Sequence, residues 1–274
     1  MKDLMQNEQN ITTNNIVSHL LQRGIYTITP RDLAALFQIP LSRAYYLVQK
    51  LKARRWITEV KKGHYLVGGF EPHRVVTHPF FVAVSMVVPS YVSFITALNH
   101  YGLTEQVPFT VFAVSTLRHK PIRFGQYTFQ YVRLKPFKFF GYSKQMDGDL
   151  SFLMADPEKA LVDSLDQIRH HYGGGIEEIA KALVRGSQSG ILDSARLADY
   201  ALQMRNKSLC GRLGFLAGLV GMQHPELQRL KESLPKGFIP LDPARPFTSQ
   251  WNMEWKVNVN VSREQVLNHM EGVR

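Results

Sequence analysis

Residues 29–67 read TPRDLAALFQIPLSRAYYLVQKLKARRWITEVKKGHYLV, and this stretch decides the fold of the N-terminal part of the chain. It starts with the signals of a helix N-terminus: Thr29 can cap, Pro30 suits the first helical position, and Asp32 can complete a capping box. The link 38–40 is short enough to force a steep crossing between two helices. We therefore predict a helix from 30, a tight turn, and a second helix over 41–55.

The predicted helix 41–55 has an apolar side and a polar side. At about 100° per residue, the apolar side collects Leu41, Ala44, Tyr45, Leu47, Val48 and Leu51. The polar side collects Ser42, Arg43, Tyr46, Gln49 and Lys50. Arg and Gln side chains make bidentate contacts with guanine and adenine edges, so the polar side has the chemistry of a DNA-reading surface.

The neighbouring segments complete a winged helix-turn-helix. A helix over 15–23, ending at Gly24, comes before it, and strands at 56–60 and 64–67 follow it, joined by a basic turn at 61–63. We predict a flexible N-terminus over 1–14, a winged helix-turn-helix DNA-binding domain over 15–70, and a larger mixed α+β C-terminal domain over 71–274. The glycines and proline of 68–72 indicate a hinge between the two domains.

The segment 41–64 is strongly basic. It holds seven Lys+Arg residues and one acid, Glu59, which gives a net charge of +6 out of +11 for the chain. Phosphate contacts supply much of the affinity of DNA-binding modules. A protein–protein scaffold with a solvated basic face is the alternative. The candidate DNA-binding residues are Thr29, Arg31, Ser42, Arg43, Tyr46, Gln49, Lys50, Arg54, Arg55, Lys61, Lys62 and His64.

The C-terminal domain reads as α+β because its strands and helices do not alternate regularly. We predict strands over 109–115, 127–134, 150–154 and 255–261, and helices over 157–168, 176–184, 194–204, 209–220 and 225–234. The uncharged stretch 80–98 is interrupted by Pro89. We therefore expect a buried segment at 80–88 and a short helix at 91–101, with no membrane span.

A second basic tract lies between 112 and 146, where there is no acid. Its aromatic residues alternate with basic ones, as on surfaces that bind nucleic acid or acidic proteins. Alternating aromatics on a strand also pack into a core on one side, leaving a solvated sheet edge. Both interpretations stay open at this point. The candidate residues of this possible second surface are Arg118, Lys120, Arg123, Arg133, Lys135 and Lys138.

No catalytic site stands out, and we expect no enzyme activity, metal or cofactor. Asp156, Glu158 and Lys159 lack the nuclease spacing, so we predict that Asp156 caps a helix starting at Pro157. A nucleic-acid-processing enzyme that uses these three residues is one alternative.

Glycines at 211, 214, 218 and 221 favour close packing of a helix. Cys210 is the only cysteine in the chain, which excludes a disulfide framework, and it is predicted to be inert. The polar N-terminus lacks a secretory signal. These features indicate a cytoplasmic protein.

Five segments, in order along the chain, resemble the AbiEi antitoxin family of bacterial type IV toxin–antitoxin systems, and the resemblance covers roughly 15–260. They are YVSFITALNHYGLTEQVP (91–108), FFG (139–141), ADPEKALVD (155–163), RLGFLAG (212–218) and PLDP (240–243). The resemblance implies a winged helix that represses its own operon at inverted repeats. It also implies a C-terminal domain needed to counter, directly or indirectly, a nucleotidyltransferase toxin, with each half-site bound by a monomer as one option. A stand-alone winged-helix regulator, with a C-terminal domain that senses a ligand or forms a dimer, is the alternative.

Overall fold

A computed structural model describes residues 12–69, 75, 77–222 and 224–267. They divide into two compact units. The first unit contains the described residues up to Pro89 together with 123–127 and 145–152, and the second contains the remaining described residues. The expected domain boundary at 70–71, and most of the expected hinge, lie outside the described residues. Helices and several sheets are present, so the expected α+β class is confirmed.

Three helices and a three-stranded sheet make up the N-terminal part of the first unit. The helices are α1 (Thr13–Gln22), α2 (Pro30–Phe37) and α3 (Leu41–Ala53), and the strands are β1 (Thr27–Ile28), β2 (Ile57–Lys61) and β3 (His64–Val67). The strand order is β1-β3-β2, with both pairs antiparallel. All three predicted helices and the predicted hairpin are confirmed. The two residues of β1 are too few for a sequence pattern to show.

The ends of these helices follow their sequence signals. The capping box is confirmed, because the Thr29 hydroxyl accepts from the Asp32 N–H (3.2 Å) and the Asp32 carboxylate accepts from the Thr29 N–H (2.8 Å). Gly24 adopts a left-handed φ of 65° after α1, as expected of a C-terminal cap. The flexible segment predicted over 1–14 is wrong at Thr13 and Asn14, which are helical because the Thr12 hydroxyl caps α1. Residues 1–11 lie outside the described part of the chain.

The core of the first unit contains the inner faces of all three helices and part of the sheet. From α3 it takes Ala44, Leu47, Val48 and Leu51, as predicted. The prediction is wrong for the two other apolar residues, since Leu41 is 40% exposed and Tyr45 is 51% exposed. The four buried residues lie within an arc of about 100° around the helix, and Leu41 and Tyr45 fall about 20° and 60° beyond its edge. A further helix, α4 (Pro79–Met86), occupies the segment expected to be buried.

A six-stranded sheet, in the order β6-β7-β5-β4-β9-β8, organises the middle of the chain. Its strands are β4 (Ser90–Val92), β5 (Thr110–Ser115), β6 (Ile122–Phe124), β7 (Tyr127–Arg133), β8 (Tyr142–Asp147) and β9 (Leu150–Ala155). The helix expected over 91–101 is wrong at its start, because Tyr91 pairs with Val114 and Val92 with Met154, and α5 (Phe94–His100) begins only after them. Sheet pairing outweighs the local pattern in this segment.

Helices dominate the second half of the second unit. They are α6 (Pro157–Asp166), α7 (Ile176–Gln188), α8 (Ser194–Gln203), α9 (Lys207–Leu219), α10 (Pro225–Gln228) and α11 (Arg263–Leu267). A small sheet holds β10 (Ile239–Pro240), β12 (Val257–Asn258) and β11 (Trp251–Asn252), in that spatial order. The strand expected over 255–261 is therefore shorter than predicted. Within the described ranges, no helix has the length and apolar character needed to span a membrane.

The close packing predicted for the glycines at 211, 214, 218 and 221 is confirmed at two of the four positions. A Cβ atom at Gly214 would lie 2.2 Å from the Trp255 ring, and one at Gly211 would lie 2.7 Å from the Trp255 carbonyl oxygen. Gly218 and Gly221 have no atom within 4 Å of such a position. The glycines at 211 and 214 thus let Trp255 pack directly on the backbone of α9.

Candidate nucleic-acid interface

A basic surface of the first unit is formed by α3 and the hairpin that follows it. We call it the α3–hairpin surface and define it by the exposed side chains of α3 and of the turn between β2 and β3. Ser42, Tyr46, Gln49, Lys50, Arg55, Lys61 and Lys62 are exposed, whereas Arg43 and His64 are partly buried. Of the twelve candidate DNA-binding residues, five lie on α3 and three on the β2–β3 hairpin.

Rotation around α3 ranks these side chains. The direction opposite the centre of the buried arc is shared, to within about 30°, by Ser42, Tyr46 and Gln49, while Arg43 lies about 40° from the edge of the arc. Tyr46 is 57% exposed, and the Lys50 ammonium lies 4.6 Å from the centre of its ring. A cation over an aromatic face is held by the ring quadrupole, so this pair forms a pre-ordered unit on the helix.

Glu59, the only acid between 41 and 64, ties the hairpin to α3. Its carboxylate lies 2.6 Å from the Lys52 ammonium and accepts the Gly63 N–H at 3.2 Å. The hydrogen bond from Lys52, followed by that from Gly63, lowers the pKa of the Glu59 carboxyl. Because Gly63 belongs to the turn and Lys52 to α3, one carboxylate fixes the turn relative to the helix. The isolated acid in a basic run was the sequence signal for this contact.

Arg54 is engaged within the protein, although it was a candidate DNA contact. Its guanidinium donates to the Thr13 hydroxyl and to the Asn14 side-chain oxygen (3.1 Å), and it lies 4.9 Å from the Trp56 ring. It thereby joins the end of α3 to the start of α1. Arg55 follows in a left-handed conformation (φ 59°), with its N–H bonded to the Lys52 carbonyl in a helix-terminating motif.

The remaining candidates sit at the periphery of this surface. Arg31 is exposed in the first turn of α2, whereas the Thr29 hydroxyl is occupied in the capping box. The Lys61 ammonium approaches the Met86 carbonyl oxygen at 3.5 Å, and a ring nitrogen of His64 lies 3.2 Å from the Lys62 carbonyl oxygen. Lys62 is exposed in the turn itself.

The candidate residues of the second basic tract differ in their exposure and in the unit to which they belong. Arg118, Lys120, Arg133 and Lys135 are exposed in the second unit, and Arg123 is exposed in the first. Lys138 is 15% exposed and pairs with the buried Asp166 at 2.5 Å. Phe129 and Tyr131 are buried, and burial strongly raises the pKa of the Tyr131 hydroxyl. On β7, Phe129 and Tyr131 therefore pack into a core, and the possible second surface stays a prediction.

The three residues of the enzyme alternative have separate partners. Asp156 is the N-cap residue of α6 and Pro157 opens the helix, as predicted, but the Asp156 side chain makes no capping bond. Its carboxylate instead accepts from the Ser143 and Tyr200 hydroxyls, both at 2.9 Å. Glu158 accepts the Asp193 N–H at 2.7 Å, and Lys159 bonds to Asp163. Each of the three side chains is thus bonded to a different group within the protein.

Lys159 and Asp163 form an ion pair with no solvent exposure on either side. Asp163 also accepts from Ser93 (2.8 Å) and Tyr91 (3.1 Å), and the Lys159 ammonium lies 4.7 Å from the centre of the Phe140 ring. Burial raises the pKa of the Asp163 carboxyl, against the lowering effect of Lys159. All three of these neighbours belong to the second unit, so the pair is part of its core.

Among the described side chains, no group of three or more His, Cys, Asp or Glu residues is placed to hold a metal ion. Burial raises the pKa of the Cys210 thiol to about 11, in line with the expectation that it is inert. A comparison of the chain with protein-family models, and another with curated proteins, found no match.

Proposed function

We propose that residues 13–67 form a winged helix-turn-helix that binds double-stranded DNA, with α3 as the recognition helix in the major groove and the β2–β3 turn as the wing. The order helix, strand, helix, helix, strand, strand, with a β1-β3-β2 sheet, is typical of that fold. The observation that carries the proposal is the exposed polar and basic face of α3 beside a basic turn. Recognition helices of this class contact base edges, and flanking cations contact phosphates.

The full proposal is an antitoxin and transcriptional autorepressor of the AbiEi kind. It would bind inverted repeats upstream of its own operon and counteract a nucleotidyltransferase-type toxin in the bacterial cytoplasm. The five resembling segments support the antitoxin part, and the α3–hairpin surface supports the repressor part. A protein that acts on DNA through a helix and a wing needs neither metal nor cofactor.

The DNA-binding part is tested by titrating the full-length protein against the DNA upstream of its gene, beside a scrambled duplex. Gln49→Ala should weaken the specific complex by about 1–3 kcal/mol and relax the preference at one base pair, because Gln49 faces outward and suits adenine. Lys62→Ala is the matched control and should weaken binding to both duplexes alike. Equal losses on both duplexes for Gln49→Ala would contradict the placement of Gln49 on base edges.

The antitoxin part is tested separately in cells. The protein encoded beside this gene is expressed alone, where it should arrest growth, and then with the full-length chain, where growth should recover. The Gln49→Ala variant should still restore growth, since toxin neutralisation is assigned to the second unit. Absence of a toxic neighbour would leave the stand-alone regulator as the better description.

A further inference from the structure

The exposed face of α3 contains apolar side chains that a purely polar reading surface does not require. Leu41 is 40% exposed and Tyr45 is 51% exposed, although both are apolar enough to be expected in the core. Leu41 is the first residue of α3 and Tyr45 lies one turn later on the same side. The N-terminal half of a recognition helix is the part that approaches base edges.

These two side chains lie on the side of α3 that faces the hairpin. Lys52 falls at about 20° on the helical projection, between Leu41 at about 0° and Tyr45 at about 40°, and it is bonded to Glu59 of β2. Tyr45 is also near enough to Tyr65 of β3 to influence its hydroxyl electrostatically. The apolar pair therefore lies between the outward polar residues of α3 and the proposed wing.

We propose that Leu41 and Tyr45 contact the 5-methyl groups of thymines in the major groove, so that part of the operator is recognised by apolar contact. The inference rests on the proposed DNA binding. The net charge of +6 over 41–64 selects a polyanion as the occupant of this face and opposes a second copy of the same basic surface. Thymine is the base that presents an apolar group in the major groove, where apolar groups of side chains, aromatic rings included, contact it.

The experiment separates this contact from DNA binding itself. A preferred duplex is first selected from random sequences with the full-length protein, and each thymine is then replaced singly by uracil, which removes only the methyl group. Dissociation constants are measured by fluorescence anisotropy at fixed salt. Because the loss of one buried methyl group weakens an apolar contact, replacing a contacted thymine by uracil should raise the dissociation constant of the wild type about fourfold.

Two variants and two controls complete the cycle. Leu41→Ala and Tyr45→Ala should bind the thymine duplex more weakly and lose the thymine-to-uracil difference at one position each. Tyr45→Phe keeps the ring and should keep the difference, whereas Lys62→Ala should weaken both duplexes with an unchanged ratio. Circular dichroism checks that each variant is folded.

Three outcomes of the uracil experiment would overturn the thymine proposal. A selected duplex on which uracil has no effect overturns the thymine proposal and leaves DNA binding intact. A thymine effect that both alanine variants retain assigns the contact to other residues and also overturns it. If selection yields no preferred sequence, the proposed function fails and the inference fails with it.

Discussion

The buried Lys159–Asp163 pair allows a sharp prediction about the stability of the second unit. Both side chains have no solvent exposure, and the carboxylate is further bonded to Ser93 and Tyr91. Asp163→Asn keeps an oxygen that can accept those hydroxyl bonds but removes the charge opposite the Lys159 ammonium. An uncompensated buried charge costs about 3–5 kcal/mol. For a domain of this size, about 2–4 °C per kcal/mol converts that loss into a melting temperature lowered by about 6–20 °C.

The assays are thermal unfolding, which gives the melting temperature, and urea unfolding, which gives the free energy, each followed by circular dichroism and by tryptophan fluorescence. The matched control is Asp199→Asn, which breaks the Arg229–Asp199 pair; its side chains are 49% and 56% exposed, so the loss should be at most about 1 kcal/mol. The double variant Lys159→Met with Asp163→Asn removes both charges and should recover most of the loss. The reasoning is refuted if Asp163→Asn is no more harmful than Asp199→Asn, or if the double variant is no more stable than the single one.

Three further predictions concern other parts of the chain. Lys62→Ala should reduce the steepness of the plot of log affinity against log salt concentration by about 0.9. Arg54→Ala should leave the slope nearly unchanged, because the Arg54 guanidinium is bonded to α1, and equal slopes for the two variants would contradict this assignment. Gly214→Ala should destabilise the protein by about 1–3 kcal/mol because its Cβ would meet the Trp255 ring at 2.2 Å, while Gly218→Ala, with open space, should be neutral or stabilising in the same denaturation assay. The Cys210 thiol, with its pKa raised to about 11, should resist a chromogenic disulfide reagent at neutral pH until the protein unfolds, and rapid labelling of the native protein would show that the thiol is accessible.

The sequence predicted those elements whose structure depends on residues close to one another in the chain. The capping box at Thr29 and Asp32, the left-handed Gly24 and the His64–Val67 strand are determined by neighbours within a few residues, and each is confirmed. The short strand at 90–92 depends on partners over twenty residues away, and no local pattern could distinguish it from a helix start.

The location of the candidate interface on α3 was predicted from the sequence, but the exposure and the partners of some of its side chains were not. Spacing correctly placed Gln49 on the outer face of α3, but the apolar arc proved narrower than the pattern implied, which exposed Leu41 and Tyr45. Composition also could not show that Arg54 bonds to α1, because a charge count carries no information about which cations have partners inside the protein. Three-dimensional contacts, rather than residue type, decide both points.

The internal engagement of Lys52 and Arg54 has a consequence for how the proposed repressor would find its site. Attachment to arbitrary DNA depends almost wholly on counterion release, whereas a preferred site adds contacts with base edges. Holding two cations of the basic segment within the fold lowers the first kind of attachment more than the second. A chromosome presents on the order of a million or more competing sites, so the protein would spend less time sequestered on them. The bonds that Lys52 and Arg54 make within the protein would therefore favour a faster search for the preferred site over tighter binding to DNA in general.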